Sequence, residues 1–309
     1  MSQIEVTILD GGMGKHLERS GAPFRQPEWS ALALIETPDL VQAAHEAFIA
    51  VGADVITSNS YAVVPFHIGE DRFAERGAEL VELAGRLARA AADGADRPVQ
   101  VRGSLPPLFG SYEPWLFDAE RAPALLDVLV ASQAQYVDGW ISETTSSIAE
   151  AVAALDAVDR HRAAQPDAPA DVWVSFTVPE DLPEGGEITL RSGESIADAV
   201  NAVAARASAV LFNCSPPEMV DLAVAAARAA IDAGGHDLRL GAYANAFEPK
   251  PEDYSANSVV LGGRDELTPA RYREIAEGWT RHGATIVGGC CMIHTEHIDQ
   301  LGGLTAHVH

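Results

Sequence analysis

The sequence contains few cysteines and no long apolar run. Only three of its 309 residues are cysteine. An odd and small number of cysteines in a chain of this length does not form a disulfide framework, so a reducing, cytoplasmic setting is predicted. No apolar stretch approaches the roughly 20 residues that cross a bilayer. Residues 1–5 show no basic segment that leads into an apolar one, so no secretory signal is expected.

Basic residues are also scarce, with 21 Lys and Arg against 45 Asp and Glu, which gives a formal net charge of -24. Such an acidic chain repels phosphate, so neither nucleic acid nor an anionic membrane is expected as a partner. A hydrophobic content of 47% is ample for one large core. A single domain over residues 1–309 is therefore predicted, and the oligomeric state is left open.

Eight short apolar runs alternate with helical patterns along the chain. The runs are rich in Val and Ile, and several are continuous rather than alternating, which is typical of parallel strands covered on both faces. Eight strand-then-helix units in about 300 residues favour a (β/α)8 TIM barrel. A doubly wound open sheet is the alternative. The runs cover residues 6–9, 53–58, 99–104, 137–143, 172–177, 209–213, 238–243 and 285–288.

Several helix starts can be read directly. Ser147 with Glu150 and Ser215 with Glu218 both fit the capping-box pattern, in which the two residues satisfy backbone N–H groups at a helix N-terminus. Thr268 followed by Pro269 predicts another helix start.

The three cysteines follow two of the apolar runs. Cys214 comes directly after the run 209–213, and Cys290 and Cys291 follow the run 285–288. In a barrel of this kind the active site lies at the carboxyl ends of the strands. Three sulfurs at that end can share one Zn²⁺ and leave a fourth position open, which is the catalytic pattern. Buried structural cysteines and a disulfide between the two adjacent cysteines are the alternatives.

Local sequence around the cysteines supports the metal interpretation. Residues 215–218 predict a helix start just after Cys214, and the partial positive charge of a helix N-terminus favours thiolate, the form that binds metal. Gly288 and Gly289 allow a close backbone approach, which helps two adjacent sulfurs turn toward one ion.

Two acidic residues also follow predicted strands. Asp10 comes after the first strand and Glu143 ends the fourth. An acid at the mouth of a barrel suits a cation such as the ammonium group of an amino acid. A turn or helix-cap role for Asp10, and a cap or salt bridge for Glu143, are the alternatives. The glycines of residues 11–14 do not match a phosphate-binding motif.

Histidines and aromatic residues give weaker signals. His294 and His297 follow the cysteine pair, either as a fourth metal ligand or, as the local spacing favours, as exposed histidines on a helix face. His307 and His309 are predicted to belong to an untethered C-terminal tail.

Three aromatic residues have two possible roles. They could wall a pocket for a methyl-onium group through cation–π contacts. Core packing is the alternative, and is favoured for each of them separately. They are Tyr61, Trp115 and Tyr243.

Residues 10–14, 213–218 and 288–291, taken together, resemble the zinc-dependent homocysteine S-methyltransferase family. Residues 53–61, Glu143 with Thr144, and residues 296–298 agree with this resemblance, which runs from about Ile8 to Ile298. It implies a barrel in which three cysteines hold Zn²⁺ and further residues hold or position homocysteine. The implied residues are Cys214, Cys290 and Cys291 for the metal, and Asp10, Gly11, Gly12, Glu143 and Asn213 for the substrate.

Two positions depart from the family pattern. Lys15 stands where many members have Thr or Ser, and residues 292–295 differ from the usual loop after the cysteine pair. The implied activity is methyl transfer from a small onium donor to homocysteine, which gives methionine. S-methylmethionine or S-adenosylmethionine is the favoured donor, and betaine or dimethylsulfoniopropionate comes next. Another thiol or selenol acceptor, or a non-catalytic zinc-stapled barrel or corrinoid-protein partner, is the alternative.

Overall fold

Eight parallel strands surround a common axis in the computed structural model, which describes residues 2–182, 186–249 and 261–308. Each predicted apolar run overlaps one of them. The described residues contain ten strands, of which β2 to β9 form the barrel and β1 and β10 form a separate ribbon. In chain order they are β1 (Ser2–Glu5), β2 (Thr7–Ile8), β3 (Val55–Thr57), β4 (Gln100–Leu105), β5 (Gly139–Thr145), β6 (Val172–Phe176), β7 (Ala209–Asn213), β8 (Arg239–Tyr243), β9 (Ile286–Val287) and β10 (Thr305–Val308).

The sheet closes into a barrel. Its strand order is β2-β9-β8-β7-β6-β5-β4-β3, with every neighbouring pair parallel. A parallel bridge between Leu9 and Val55 joins the two ends, and the Asp54 N–H donates to the Ile8 carbonyl at 2.7 Å. The predicted (β/α)8 barrel is confirmed, and the open-sheet alternative is wrong.

Helices connect the strands and cover the outside of the barrel. None of those in the described residues is long and apolar enough to cross a membrane. They are α1 (Met13–Arg19), α2 (Ser30–Glu36), α3 (Pro38–Ala50), α4 (Pro65–Ile68), α5 (Glu70–Asp93), α6 (Ala122–Gln133), α7 (Ile148–Ala164), α8 (Ile196–Val203), α9 (Pro217–Gly234), α10 (Pro269–Arg281) and α11 (Thr295–Leu301), with short 3-10 helices at Pro114–Leu116 and Ala134–Tyr136.

The predicted helix caps differ in their outcome. Ser147 and Glu150 form the expected capping box at the start of α7. The prediction of a capping box of Ser215 and Glu218 is wrong, because α9 begins after Pro216 without a side-chain cap. The Ser215 hydroxyl instead accepts a hydrogen bond from the Val178 N–H at 3.0 Å, and so ties the end of β7 to the segment after β6.

The core has an inner and an outer layer. The outer layer packs the helices on the strands, and the inner layer fills the barrel along its axis. At the amino ends of the strands the Arg102 guanidinium lies 3.8 Å from the centroid of the Trp173 ring and pairs with Asp171 at 2.6 Å. These residues close that end, so the open end of the barrel is the carboxyl end. The inner layer consists of Leu9, Val55, Ile141, Trp173, Ala209, Leu211, Tyr243 and Ile286.

The C-terminal segment is not an untethered tail. β10 pairs antiparallel with β1, and His307 lies opposite Gln3 in this ribbon. Ala306 is fully buried, and the Val6 N–H donates to the Leu304 carbonyl at 3.2 Å. The prediction was wrong for His307 because its short strand is stabilised by a partner about 300 residues away. His309 lies outside the described residues.

Candidate metal centre and substrate pocket

The three cysteines meet at the carboxyl end of the barrel. The sulfurs of Cys214, Cys290 and Cys291 all lie within 4.8 Å of one another, and those of Cys214 and Cys291 are 3.6 Å apart. All three are free thiols, so no disulfide joins the adjacent pair. Three sulfurs at these distances form a group that could hold one metal ion.

Backbone geometry brings the sulfurs together. Cys214 directly follows β7 and has a φ of +49°, a left-handed conformation that is uncommon for residues other than glycine. A Cβ on Gly288 would lie 2.4 Å from the Cβ of Leu9, and one on Gly289 would lie 2.1 Å from Ile293 Cγ2. The close approach predicted for these two glycines is confirmed, and it places the cysteine pair over the barrel.

The thiols oppose one another's ionisation. Hydrogen bonds with Cys214 and Cys291, and then burial, raise the pKa of Cys290 well above its usual value. Cys214 is 3% exposed, and its Sγ lies 2.9 Å from the Tyr112 hydroxyl. Such a set of thiols ionises together only if a cation neutralises the combined negative charge. The N-terminus of α9, which begins at Pro217, also favours the thiolate form. The chemistry of the donors therefore fits a thiophilic metal ion.

Asp10 lies in the same pocket and is held by backbone groups. The Thr57 N–H donates to its Oδ2 at 2.8 Å, and its carbonyl accepts from the Gly289 N–H at 3.0 Å. Burial raises the pKa of Asp10 to about 8 against the opposing hydrogen bond from Thr57, and Glu143 adds to the rise. Asp10 neither caps a helix nor forms an ion pair among the described residues. Its carboxyl is therefore suited to a cationic ligand.

Glu143 lies on β5 and faces the same space. Its carboxylate accepts a short hydrogen bond from the Ser104 hydroxyl on β4. Burial raises the pKa of Glu143 to about 7, with a further contribution from Cys214. Two buried carboxyls whose charged forms disfavour each other make a site that a single positive group would stabilise.

Asn213 positions the irregular end of β5. Its Oδ1 accepts from the Thr144 N–H at 2.9 Å and from the Ser175 hydroxyl at 2.8 Å, and its Nδ2 donates to the Thr144 hydroxyl at 2.9 Å. Thr144 has a φ of +59° directly after Glu143. Asn213 thus stabilises the strained turn beside the acid and precedes the cysteine, so it links the two halves of the site.

A cavity of about 180 Å³ unites these groups. Of the residues implied for the metal and the substrate, Asn213 does not line it. The predicted residues that line it are Asp10, Gly11, Gly12, Glu143, Cys214, Cys290 and Cys291. Tyr61 and Tyr243 line it too, whereas Trp115 is 72% exposed and lines neither this pocket nor the core.

The two histidines after the cysteine pair do not join the metal group found among the described residues. His297 is 9% exposed, accepts from the His294 N–H through Nδ1 and contacts the Leu267 carbonyl through Nε2 at 3.0 Å. The expected exposed position was wrong for His297, because α11 turns that side of the helix toward α10. Both histidines belong to the packing of this corner.

Of the two departures from the family pattern, one lines the pocket and the other contacts the glycine turn beside it. Lys15 lines it, with its Nζ 2.7 Å from Glu18 and 5.4 Å from the centroid of the Phe24 ring. In the loop after the cysteines, the Ile293 carbonyl accepts from the Gly12 N–H at 2.8 Å. This loop therefore fixes the glycine turn against the cysteine pair.

Sequence reasoning missed Tyr112 and Ser104. Both follow from contacts between distant segments: Tyr112 reaches Cys214, and Ser104 reaches Glu143. Ser104 at the end of a predicted strand offered a positional signal, whereas Tyr112 lies in a loop with no periodic pattern.

Comparison with known proteins agrees with this geometry. The sequence model of the family described as homocysteine S-methyltransferase matches residues 7–304. Homocysteine S-methyltransferase 1 of Zea mays is 26% identical, with 92% of this chain and 89% of the relative covered. Selenocysteine methyltransferase of Astragalus bisulcatus is 25% identical, with 92% and 88% covered.

A solved structure shows the same fold. The metallated homocysteine methyltransferase MmuM from Escherichia coli has a TM-score of 0.73 to this chain, covers 96% of both chains and is 23% identical. Since the family match extends over nearly the whole barrel, the chain belongs to the homocysteine S-methyltransferase family.

Proposed function

We propose that this protein transfers a methyl group from a small onium donor to the thiol of L-homocysteine, with Zn²⁺ as its metal, and so forms methionine. The observation that carries the proposal is one pocket in which three thiols, suited to a thiophilic metal, face two buried carboxyls, suited to an ammonium group. Homocysteine carries a thiol and an ammonium group at opposite ends of a short chain.

The donor set favours zinc. Thiolates bind Zn²⁺ well, whereas Mg²⁺ and Ca²⁺ prefer oxygen ligands. The described residues provide three ligands, Cys214, Cys290 and Cys291, and no fourth within reach. Structural zinc sites usually have four protein ligands, so three ligands support a catalytic site over a zinc-stapled scaffold.

The carboxyls would orient the amino-acid end of the substrate. An ammonium group between Asp10 and Glu143 favours the charged form of both, and so offsets the burial that raises their pKa values. Gly11 and Gly12 keep the backbone close to this end of the pocket. With the ammonium held there, the substrate side chain would extend toward the three sulfurs.

The methyl transfer is a displacement at carbon. The acceptor thiol releases its proton to solvent, and its sulfur forms a bond to the methyl carbon of the donor. The bond from that carbon to the onium centre breaks, and its electron pair stays on the sulfur or nitrogen of the donor, so that this centre becomes neutral. Zn²⁺, when bound, would favour the thiolate form of the acceptor. The protein's own contribution is to position both substrates and exclude water.

S-methylmethionine or S-adenosylmethionine is the favoured donor. An acidic chain attracts a positively charged donor at long range. Tyr61 and Tyr243 line the pocket and offer aromatic rings to a methyl-onium group. Betaine and dimethylsulfoniopropionate also carry an onium centre, but their carboxylate makes them neutral overall, and they are the alternative donors.

The acceptor has one specific alternative. A selenol is chemically similar to a thiol, and a relative of this chain is named a selenocysteine methyltransferase. A selenol acceptor would use the same metal and the same acids, so it changes the substrate and not the site.

The proposal is tested with a panel of donors and acceptors on the zinc-loaded protein. Homocysteine with each of the four donors should give methionine with at least one, read by mass spectrometry. Methylation of selenocysteine or another thiol in place of homocysteine would contradict the acceptor. No transfer in any combination would contradict the enzymatic function.

The same proposal includes a setting for the protein. Because the three cysteines must stay reduced to bind metal, we expect a reducing, cytoplasmic compartment. Residues 1–309 are proposed to form one domain, with small-molecule substrates as its partners.

A further inference from the structure

Tyr112 follows β4 in the chain and reaches the cysteines across the mouth of the barrel. Its hydroxyl oxygen lies 2.9 Å from Cys214 Sγ, and both residues line the substrate pocket. The tyrosine is 8% exposed and the cysteine 3%. A contact this short between a buried phenol and a buried sulfur is a hydrogen bond, and it joins the pocket wall to one of the three metal-binding candidates.

The surrounding structure holds Tyr112 in this position. Its φ of +71° is uncommon for a residue other than glycine, and such strained conformations persist where neighbouring contacts fix them, often at functional sites. The guanidinium carbon of Arg191 lies 4.8 Å from the centroid of the tyrosine ring. Arg191 is held in turn by Glu180 at 2.6 Å, with both side chains 15% exposed. The hydroxyl is therefore directed at the sulfur before any substrate arrives.

Metal binding decides which atom donates in this hydrogen bond. Between a phenol and a thiol, either atom can donate. Cysteine binds metal as the thiolate, which has no proton, so in the metal-loaded site only the phenol of Tyr112 can donate. Hydrogen bonds to a charged acceptor are stronger than those between neutral groups. The contact with Cys214 therefore strengthens when the metal is bound.

The proposed reaction places several sulfurs before one methyl group. The Sγ atoms of Cys214 and Cys291 are 3.6 Å apart, and all three cysteine sulfurs lie within 4.8 Å of one another. A substrate thiol bound beside them would be one sulfur among four. If a cysteine reacted instead, its sulfur would bond to the methyl carbon, and the electron pair of the broken bond would stay on the onium centre. The resulting neutral thioether would replace an anionic metal ligand and inactivate the site.

A hydrogen bond to a thiolate makes it a weaker nucleophile, because it stabilises the charge that attacks. We propose that the Tyr112 hydroxyl protects Cys214 from methylation through this hydrogen bond and so directs the methyl group to the substrate thiol. Cys290 has a weaker contact of this kind, with Asn213 Nδ2 at 4.0 Å from its Sγ. This inference rests on the proposed function, from which it takes the methyl donor and the bound metal.

The test measures methylation of the protein itself. Zinc-loaded wild type and Tyr112→Phe are treated with methyl iodide, which methylates thiolates without needing a donor site, and no homocysteine is present. Peptide mass spectrometry gives the rate at each cysteine. Cys214 should react roughly three- to tenfold faster in the variant, as expected for the loss of a hydrogen bond to a charged sulfur. Cys290 and Cys291 should react at rates close to those of wild type.

Tyr61→Phe is the matched control. It removes another hydroxyl from a residue of the same pocket, but one that lies 2.6 Å from the Ser111 hydroxyl. It should leave the methylation rate of Cys214 unchanged. In the cobalt-loaded proteins, the sulfur-to-metal charge-transfer absorption should move to longer wavelength in Tyr112→Phe only, because a thiolate that has lost a hydrogen bond releases an electron more easily.

Three results would overturn the inference. They are an unchanged rate at Cys214, an equal increase at all three cysteines, and an equal increase at Cys214 in the Tyr61→Phe control. If Tyr112→Phe does not fold, NMR of the cadmium-113-loaded wild type replaces it: a hydroxyl proton should show scalar coupling to the metal, and its absence would overturn the inference.

The two proposals can fail separately. A wild type that retains no zinc would overturn both. A wild type that retains zinc but does not methylate homocysteine would overturn the acceptor in the proposed function, whereas faster methylation of Cys214 in Tyr112→Phe would still support the protective role of Tyr112.

Discussion

At the scale of single residues, the charge of each pocket group depends on its neighbours. Cys290 resists ionisation because two further thiols contact it, and Asp10 resists it because it is buried. A bound cation favours the charged form of each group. The cation is a metal ion for the thiols and an ammonium group for the acids. The two halves of the pocket therefore bind by the same physical principle and can be tested one at a time.

Replacing Cys214 by Ser should remove the metal. A serine hydroxyl does not ionise near neutral pH, so the site loses one of three anionic ligands, and zinc should bind more than about a hundredfold more weakly. Metal analysis after gel filtration would show far below one zinc per chain, with an unchanged far-UV circular dichroism spectrum. A variant that keeps its full zinc content would contradict the three-cysteine site.

Replacing Glu143 by Gln should weaken homocysteine binding and leave zinc in place. The amide keeps the shape but loses the charge, which is expected to lower affinity roughly tenfold or more. Glu150→Gln is the matched control, since Glu150 is also a buried acid whose pKa burial raises to about 7, yet it lies in the capping box of α7. Calorimetry that finds the same affinity loss in both variants would contradict the role of Glu143.

The pH dependence of stability follows from the same acids. Asp10 and Glu143 hold their protons more tightly in the folded protein, with pKa values of about 8 and about 7, than in the unfolded chain. Their contribution to stability is therefore full below about pH 4 and is lost as the pH rises through 7 and 8.

Asp10→Asn isolates this effect, because the amide cannot ionise. In urea unfolding of the metal-free protein, the variant should gain stability relative to wild type between pH 5 and pH 8.5. A difference in unfolding free energy that stays constant over this range would show that Asp10 is ionised throughout.

At the scale of secondary-structure elements, what depends on local sequence could be predicted and what depends on distant segments could not. The Ser147 cap needs only its own helix, and it formed as predicted. Ser215 has the same local pattern, but its hydroxyl oxygen accepts a hydrogen bond from the Val178 N–H in the segment after β6. β10 escaped prediction for the same reason, since its partner is β1.

Gly288 shows how an element positions the site. A methyl group there would lie 2.4 Å from Leu9 Cβ, so Gly288→Ala should push β9 away from β2 and cost about 1–3 kcal/mol of unfolding free energy. Zinc affinity should fall as well, because Cys290 follows two residues later.

Gly94→Ala is the matched control for this variant. Gly94 has a φ of -78°, and its added Cβ would meet nothing closer than 3.4 Å. Urea unfolding and zinc competition should find it close to wild type. A Gly288→Ala protein that is equally unaffected would mean that the seam between β2 and β9 can open without cost.

At the scale of the whole molecule, two hydrophobic layers extend through the barrel, whereas the candidate metal site lies only at its mouth. Chelation should therefore remove zinc, abolish methyl transfer and leave the protein folded, with a melting temperature lower by a few degrees, as expected for the loss of a ligand that binds only the native state. Thermal melting followed by circular dichroism checks this. Unfolding on mild chelation would instead favour the zinc-stapled scaffold.

The architecture, and the meeting of the candidate site residues at one end of the barrel, could be predicted because each strand carries its own apolar run and each of these residues ends or follows one. The strand ends of a parallel barrel meet at one end, so Cys214, Cys290, Asp10 and Glu143 could be assigned to the same place before any distance was known. The contacts that set their chemistry, such as Tyr112 on Cys214, join separate loops and needed the structure.

The central claim is that homocysteine accepts a methyl group at this site. In the most direct test, the zinc-loaded protein is incubated with homocysteine and with S-methylmethionine in which both S-methyl groups are trideuterated. The products are followed by mass spectrometry. The carbon chain of homocysteine is labelled with carbon-13, so that methionine formed from it can be distinguished from methionine left by the donor. The account predicts carbon-13 methionine that carries one trideuterated methyl group, and none of this product with Cys214→Ser. Labelled product that forms equally with the variant, or homocysteine left unmethylated by this and the other onium donors, would contradict it.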